Sequence, residues 1–345
     1  MIRKAFLIVV KQIFGCKDSK FFTFHYSLFT LFCIFAEKFS IMILIADSGS
    51  TKTDWTLIHS PHPMKWDVIA TFQSQGITPI HQTPDEIRQI LARELMSQLS
   101  TFPRAALINS KVLEGSLLSQ ISVFFYGSGC TPAHVPMMKQ ILSEVFSPQN
   151  IEVHSDLTAA ARALCQYEPG IACILGTGAN SCLYDGKEIV QNTPALGYIL
   201  GDEGSGSVLG RLFMNAIFKN PKFVDIRDEY LKKQKLTQAD IINKVYREPM
   251  PNRFLATTSL YIKEHIDNPL LCNLVIQNFR QFFRSNIVPY QHPELPVHFV
   301  GSMAFIYRDQ LVQAAEAEGF HVGHTLQSPM EGLVTYHEKG VDAAY

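Results

Sequence analysis

The chain contains one short arrangement twice: an apolar strand, a polar turn with glycine, and a second strand that returns alongside the first. The strand, turn and strand of the two copies lie at 43–46, 47–53 and 55–58, and at 171–175, 176–178 and 180–184. Glycine permits a tight turn and a close approach of the backbone to a ligand. Helical periodicity follows each copy. The sequence therefore predicts an α/β fold whose two halves face each other across a cleft.

The length of 345 residues is enough for two domains. We expect an N-terminal domain over 42–167 and a C-terminal domain over 168–345, with the last helix, near 330–337, packing back onto the first domain. Within the first domain, Thr83-Pro84-Asp85-Glu86 predicts a helix start. Thr83 would be the N-cap, and Glu86 would complete a capping box.

Residues 1–41 differ from the rest of the chain. Several basic residues precede an aromatic-rich run from Phe21 to Ala36. This is the outline of a secretory signal, but no small-residue cleavage site follows, and the run is short for a membrane-spanning helix of about 20 residues. Three explanations stay open: translated upstream sequence with the true start at Met42, a signal or membrane anchor, and a soluble extension. Unless the segment is an anchor, we expect no membrane association.

Charge and cysteine usage exclude some classes of partner and site. Lys and Arg number 30 against 31 Asp and Glu, a formal net charge of −1, which lacks the basic excess of a nucleic-acid binder. The seven cysteines show no C-x-x-C pair and no short even spacing. They indicate small apolar residues in a reducing compartment rather than zinc ligands or disulfides. We therefore expect a cytoplasmic protein without a nucleic-acid partner.

The two glycine turns are candidate phosphate sites, because consecutive backbone N–H groups in a tight turn form an anion-binding concavity. In the first turn Asp47 could also hold Mg²⁺ through water. An ordinary polar hairpin would explain that turn equally well, but two such turns at equivalent places favour a paired clamp. Gly301-Ser302, after a strand at 297–300, is a third place of close approach, suited to a base or ribose. The candidates are Asp47, Ser48, Gly49, Ser50, Thr51, Lys52, Thr53, Gly176, Thr177, Gly178, Gly301 and Ser302.

Carboxylates precede two of the helices. Asp156 follows a short strand and opens an Ala-rich helix. It would act either as an ordinary N-cap or as a base that accepts a hydroxyl proton in the cleft. Asp202 and Glu203 stand among glycines in the segment 197–207, where adjacent carboxylates suit hydrogen bonds to sugar hydroxyls.

Taken in order, these motifs resemble the N-acetylglucosamine kinase family, which is grouped with the BadF/BadG/BcrA/BcrD-type ATPases in the superfamily of sugar kinases, actin and heat-shock ATPases. The resemblance covers residue 42 to about residue 337. Its segments are Ala46 to Thr53, Ser155-Asp156, Gly176-Thr177-Gly178-Ala179-Asn180-Ser181, Gly201-Asp202-Glu203-Gly204-Ser205 and Val300-Gly301-Ser302.

The resemblance implies two ribonuclease-H-like (actin-like ATPase) domains flanking a nucleotide cleft, with ATP and Mg²⁺ as cofactors. It implies an ATP-dependent kinase that phosphorylates an amino sugar, N-acetylglucosamine at its 6-hydroxyl. The turns at 48–53 and 176–178 would hold the phosphates, and Gly301-Ser302 would lie near the adenosine. Asp156 would be the general base. Asp202 would bind the sugar, with Thr177 and Asn180 helping to position it, and a homodimer is expected.

Two positions on the sugar side depart from the family pattern. The family usually has Asn after the third strand, where this chain reads Gly76-Ile77-Thr78-Pro79, and the mammalian enzymes have Trp-Gly where this chain has Leu196-Gly197. Together with the motif residues above, the candidates for binding the sugar are Thr78, Asn180, Gly197, Asp202 and Glu203. N-acetylmuramic acid and glucosamine stay open as substrates. Other activities also stay open: an ATPase that activates a partner protein, and a binding regulator without catalysis. The resemblance implies that such activators hold an iron–sulfur cluster through cysteines at a dimer interface. The cysteines here offer no obvious pair, and Cys130 is the one candidate for that role.

Overall fold

The computed structural model describes residues 41–62, 65–101, 121–146 and 150–342. The leading segment 1–40 lies outside the described residues, so its three explanations stay open. Within the described ranges, no helix combines the length and the apolar character that crossing a membrane requires.

Two mixed five-stranded sheets form the framework. The strands are β1 Ile41–Ser48, β2 Lys52–His62, β3 Lys65–Gln75, β4 Ile121–Gly127, β5 Ile151–Ser155, β6 Gly170–Leu175, β7 Ala179–Tyr184, β8 Ile189–Thr193, β9 Val297–Val300 and β10 Val322–Leu326. The order is β3-β2-β1-β4-β5 in the first sheet and β8-β7-β6-β9-β10 in the second. In each sheet, three antiparallel strands form a meander, and two parallel strands are added beside the first strand. This repeated order confirms the predicted α/β fold with two ribonuclease-H-like halves.

Helices cover both faces of the sheets. A π-helical turn, Leu91–Leu95, joins the first two helices, and the tenth continues into a π turn (Phe283–Ile287) and a 3₁₀ turn (Val288–Tyr290). The helices are α1 Pro84–Ile90, α2 Met96–Thr101, α3 Val135–Phe146, α4 Asp156–Cys165, α5 Gly197–Leu200, α6 Gly206–Lys219, α7 Val224–Gln234, α8 Gln238–Tyr246, α9 Pro251–Glu264, α10 Pro269–Phe282, α11 Ser302–Ile306, α12 Arg308–Ala317 and α13 Met330–Asp342.

The structure tests two helix starts that were predicted from the sequence. The capping box at Thr83 and Glu86 is confirmed, with both reciprocal hydrogen bonds present. Asp156 is not the N-cap of α4, because the Ser155 hydroxyl accepts the N–H of Thr158 and fills that role. Asp156 is instead the first residue of the helix, and its carboxylate is free to face the cleft.

The Ala-rich helix α4 lies between the two sheets. Its Ala159 and Ala163 pack with Ile43 and Ile45 of the first sheet, and its Leu157 and Leu164 join residues of the second sheet such as Ala172, Cys182 and Tyr184. Small side chains let both sheets approach one helix closely. Because α4 packs against both sheets, the domain boundary at residue 167 stays a prediction.

The last helix, α13, lies against α4 and the first sheet. Leu333 is buried with Ile43, Ile45 and Tyr126, and the Gln166 side chain donates to the carbonyl of Gly332 at 3.0 Å. This last described helix therefore packs against the first sheet rather than the second.

Candidate active site

A cavity of about 310 Å³ lies where the two halves meet, at the ends of β1, β6 and β9. From the first half it is lined by the β1–β2 turn, Asp54 and Asp156. From the second half and the segment after β10 it is lined by Ile174, Val300, Gly301, Gln327 and Pro329. The structure thus brings the first predicted phosphate turn, the predicted base and Gly301 to one cleft, as the repeated fold requires.

In the β1–β2 turn, residues 48–53, the two terminal side chains are buried and the four residues between them are exposed. The Ser48 hydroxyl lies 2.6 Å from that of Thr53 and bonds both the N–H and the carbonyl of Ile77, each at 2.9 Å. Both residues are buried, and their hydroxyls anchor the turn, while Ser48 also forms part of the cavity wall. Gly49, Ser50, Thr51 and Lys52 remain exposed to solvent and are the part of the turn available to a phosphate.

Gly76 supports this turn from behind. Its N–H donates to the carbonyl of Thr51 at 3.1 Å. A Cβ at this position would lie 2.4 Å from the carbonyl oxygen of Gly49 and 2.8 Å from the nitrogen of Thr51. Only glycine leaves the room that this backbone contact needs.

Two carboxylates of the cleft have raised pKa values. Burial, together with repulsion from Asp54 and Asp156, raises the pKa of Asp47 to about 7. Burial also raises the pKa of Asp156, against the opposing effect of hydrogen bonds from its own helix and from the Ser128 hydroxyl. Such an acidic, desolvated pocket stabilises a proton or a cation among its carboxylates.

The second glycine turn lies at the N-terminus of α6. The Gly206 N–H donates to the carbonyl of Gly176 at 2.8 Å, and that of Ser207 donates to Thr177 at 3.2 Å. Thr177 is exposed, and Gly176 and Gly178 are half-buried. Gly301 has φ +120°, and a Cβ there would lie 2.4 Å from the carbonyl of Leu175, so this position also needs glycine.

A second cavity, of about 260 Å³, continues from this turn. Its polar lining includes Thr177, Arg253 and Ser302, and its apolar lining includes Leu260 and Met303. A mixed lining of this kind suits a flat heterocycle with a few polar edges.

The acidic loop between α5 and α6 is tied to the second turn. Asp202 has φ +54°, and its carboxylate accepts hydrogen bonds from the N–H groups of Ala179 and Gly197, while burial raises its pKa. A Cβ on Gly178 would lie 3.1 Å from Oδ2 of Asp202. Of the predicted sugar contacts, Gly197 and Asp202 therefore lie together beside the second phosphate turn.

The other predicted substrate residues differ in their hydrogen-bond partners. The Asn180 carboxamide oxygen accepts from the Ser181 N–H and the Asn192 side chain. Glu203 accepts from Asn286 at 3.2 Å. The Thr78 residue is 6% exposed, and its hydroxyl is a buried polar atom without a hydrogen-bond partner in the structure. An unsatisfied buried hydroxyl is costly unless a ligand completes it.

Comparison with known proteins identifies the family. No protein-family model and no curated protein matches the chain. Among solved structures, one from Porphyromonas gingivalis, provisionally named an N-acetylglucosamine kinase, is 44% identical, with a TM-score of 0.74, over 86% of this chain and 99% of its own. This chain belongs to the N-acetylglucosamine kinase family.

A second solved structure, provisionally given the same name and from Chromobacterium violaceum, shares 19% identity over 86% of this chain and 98% of its own, with a TM-score of 0.63. At that identity the likeness shows the shared fold. The family assignment, with the repeated sheet order, makes this chain a sugar kinase of the ribonuclease-H-like type. The kinase interpretation of the sequence is thereby confirmed at the level of the class.

Within the described part of the chain, Cys130, the cysteine named for the activator alternative, does not support that alternative. Cys130 is 4% exposed, packs under Gly127, and burial raises its pKa to about 12. A buried thiol of this kind is a poor shared ligand at a dimer interface. Across the described ranges, no group of three or more His, Cys, Asp or Glu side chains could hold a metal ion.

The sequence reasoning missed three residues that contact the candidate site. Ser128 bonds the predicted base. Asn278, buried on the apolar face of α10, accepts the Gly204 N–H and donates to the carbonyl of Ser205, holding the acidic loop. Arg253 reaches across the cleft to Ser50. The sequence could have indicated Asn278. An amide side chain on a helix face that also carries Phe279 and Phe282 is rarely buried without a hydrogen-bond partner.

Proposed function

We propose that the protein transfers the γ-phosphoryl group of ATP to an amino sugar, N-acetylglucosamine at its 6-hydroxyl. The observation that carries the proposal is the meeting of a phosphate-type turn, the half-buried carboxylate of Asp156 at the start of α4 and Gly301 around one cavity. The name of the Porphyromonas gingivalis relative supports the choice of sugar.

The ATP phosphates would lie between the exposed backbone of 49–52 and the turn at 176–178, with the adenosine toward Ser302 and Met303. Repulsion from Asp54 and Asp156 contributes to the raised pKa of Asp47, and a hard dication bound nearby would offset that repulsion. Mg²⁺ keeps several waters and binds phosphate oxygens, so Asp47 alone, through water, is an adequate protein contact. When bound, it would neutralise charge on the transferred phosphoryl group.

Asp156 is the proposed general base. Phosphoryl transfer passes through a loose transition state, which asks for positioning and for proton removal from the attacking hydroxyl. A carboxylate whose pKa is raised by burial is a better proton acceptor than a solvated one, provided it is ionised at working pH. The Ser128 hydroxyl, which donates to Asp156, holds the carboxylate in place.

The sugar would lie between Thr78 on the first half and Asp202, Glu203, Asn180 and Gly197 on the second. The unpartnered Thr78 hydroxyl would gain a hydrogen bond from the ligand. It stands at the position where the family pattern has Asn. N-acetylmuramic acid and glucosamine are the alternative substrates that this departure allows, and a cytoplasmic homodimer stays a prediction from the sequence.

A coupled ADP-release assay with Mg-ATP tests the proposal against N-acetylglucosamine, N-acetylmuramic acid, N-acetylmannosamine, glucosamine and glucose. We expect saturable turnover with N-acetylglucosamine at the highest kcat/KM. Turnover that prefers another sugar would correct the substrate. ADP release that no sugar stimulates would contradict the proposal and favour a partner-activating ATPase.

A further inference from the structure

We infer that Arg253 is the cation that binds the nucleotide's terminal phosphates from across the cleft; this inference rests on the proposed function. Arg253 lies in the first turn of α9, in the second half of the molecule. Its Nη2 lies 3.2 Å from the Ser50 hydroxyl and 3.3 Å from the Ser50 carbonyl. The guanidinium therefore lies directly beside the exposed part of the β1–β2 turn.

The charges around the cleft indicate that this arginine is the positive group available to a phosphate. Lys52, the cation within the turn, forms an ion pair with Asp54 at 2.8 Å and is largely exposed. The other ionisable side chains of the main cavity are the carboxylates Asp47, Asp54 and Asp156. Among the described side chains, Arg253 has no carboxylate partner within ion-pair distance. An acidic cleft that takes a polyanion needs a positive group besides the metal ion.

The position of Arg253 joins the two cavities. It lines the second cavity beside Gly176 and Thr177, while its end group touches Ser50 in the wall of the first. A nucleotide whose base occupied the second cavity would extend its phosphates past this side chain. Arginine presents several N–H donors in a rigid fork, which suits phosphate oxygens better than the Ser50 contact it makes here.

The same contact links phosphate binding to closure of the cleft. In the structure Arg253 and Ser50 join the two halves through long, exposed hydrogen bonds. With a nucleotide present, Arg253 on one half and the 49–52 turn on the other would bind the same phosphates. Nucleotide binding would then draw the halves together and exclude water from the site.

The test compares Arg253→Met, Arg253→Lys and Arg247→Met. Arg247 is an exposed arginine just after α8 and serves as the matched control. Affinities for Mg-ADP and for adenosine are measured by titration calorimetry and by competition. We expect Arg253→Met to weaken Mg-ADP binding between about 10- and 100-fold, as for a lost charge-assisted hydrogen bond. Adenosine affinity should stay the same, Arg253→Lys should recover part of the loss, and Arg247→Met should bind like the wild type.

The outcomes separate this inference from the proposed function. Equal losses for Mg-ADP and adenosine would show that Arg253 only supports the fold of the second cavity, and unchanged Mg-ADP binding would also overturn the inference; both leave the kinase proposal standing. A wild-type chain that binds neither ATP nor ADP would contradict the proposed function, and this inference with it.

Discussion

Gly76 provides a sharp test of how the phosphate turn is held. In Gly76→Ala the new Cβ would start 2.4 Å from the Gly49 carbonyl oxygen, whereas an ordinary contact begins near 3.4 Å. The turn must therefore move by about 1 Å, because the atoms it meets are backbone. Overpacking of this kind typically costs about 1–3 kcal/mol of stability. A displacement of about 1 Å in a positioning element can cost on the order of 10²-fold in rate.

We expect Gly76→Ala to remain folded and to lose about 10²-fold in kcat/KM for ATP in the coupled assay. Urea unfolding should show the stability loss. Gly49→Ala is the folding control, since its Cβ would meet only the Lys52 carbonyl, at 3.8 Å, and its stability should change by less than about 1 kcal/mol. Wild-type kinetics and stability in Gly76→Ala would refute the argument that this contact positions the turn.

Three further predictions concern individual side chains. Asp156→Asn should lower kcat by about 10²-fold or more with the fold intact. Wild-type kcat should fall as the pH drops through the raised pKa of Asp156. Near-normal turnover of the variant would show that Asp156 is not the base. Thr78→Val should raise the KM for the sugar while leaving the KM for ATP unchanged, because it deletes the unpartnered hydroxyl; a more stable variant with an unaltered sugar KM would show that the hydroxyl contacts no substrate. Asp47 favours its protonated form in the folded state, with a pKa of about 7 against 3.8, so wild-type stability should fall by up to about 4 kcal/mol as the pH rises from 4 to 8 without Mg²⁺. Asp47→Asn should flatten that dependence in thermal unfolding, and an equally steep curve in the variant would contradict it.

The strands and turns that carry the fold could be read from the sequence because each is a local pattern. Apolar runs broken by glycine turns mark β1, β2, β6 and β7. The short strand β10 was missed, since Val322–Leu326 contains Gly, His and Thr and none of its residues is fully buried.

The sequence predicted those parts of the site that lie within local motifs. Residues 49–52, Asp156 and Gly301 meet at one cavity. The inward orientation of Ser48 and Thr53 could not be foreseen, because it depends on the segment at Gln75 and Ile77, more than twenty residues away. The contact between Arg253 and Ser50 spans 203 positions, and no local pattern reports a contact across two domains.

The identity of the phosphorylated product tests the central claim most directly. The protein is incubated with Mg-ATP and N-acetylglucosamine, and the product is examined by ³¹P and ¹H NMR. The account predicts a new phosphomonoester whose phosphorus couples to the protons on carbon 6. A phosphate on carbon 1, or inorganic phosphate as the sole product beside ADP, would contradict the account.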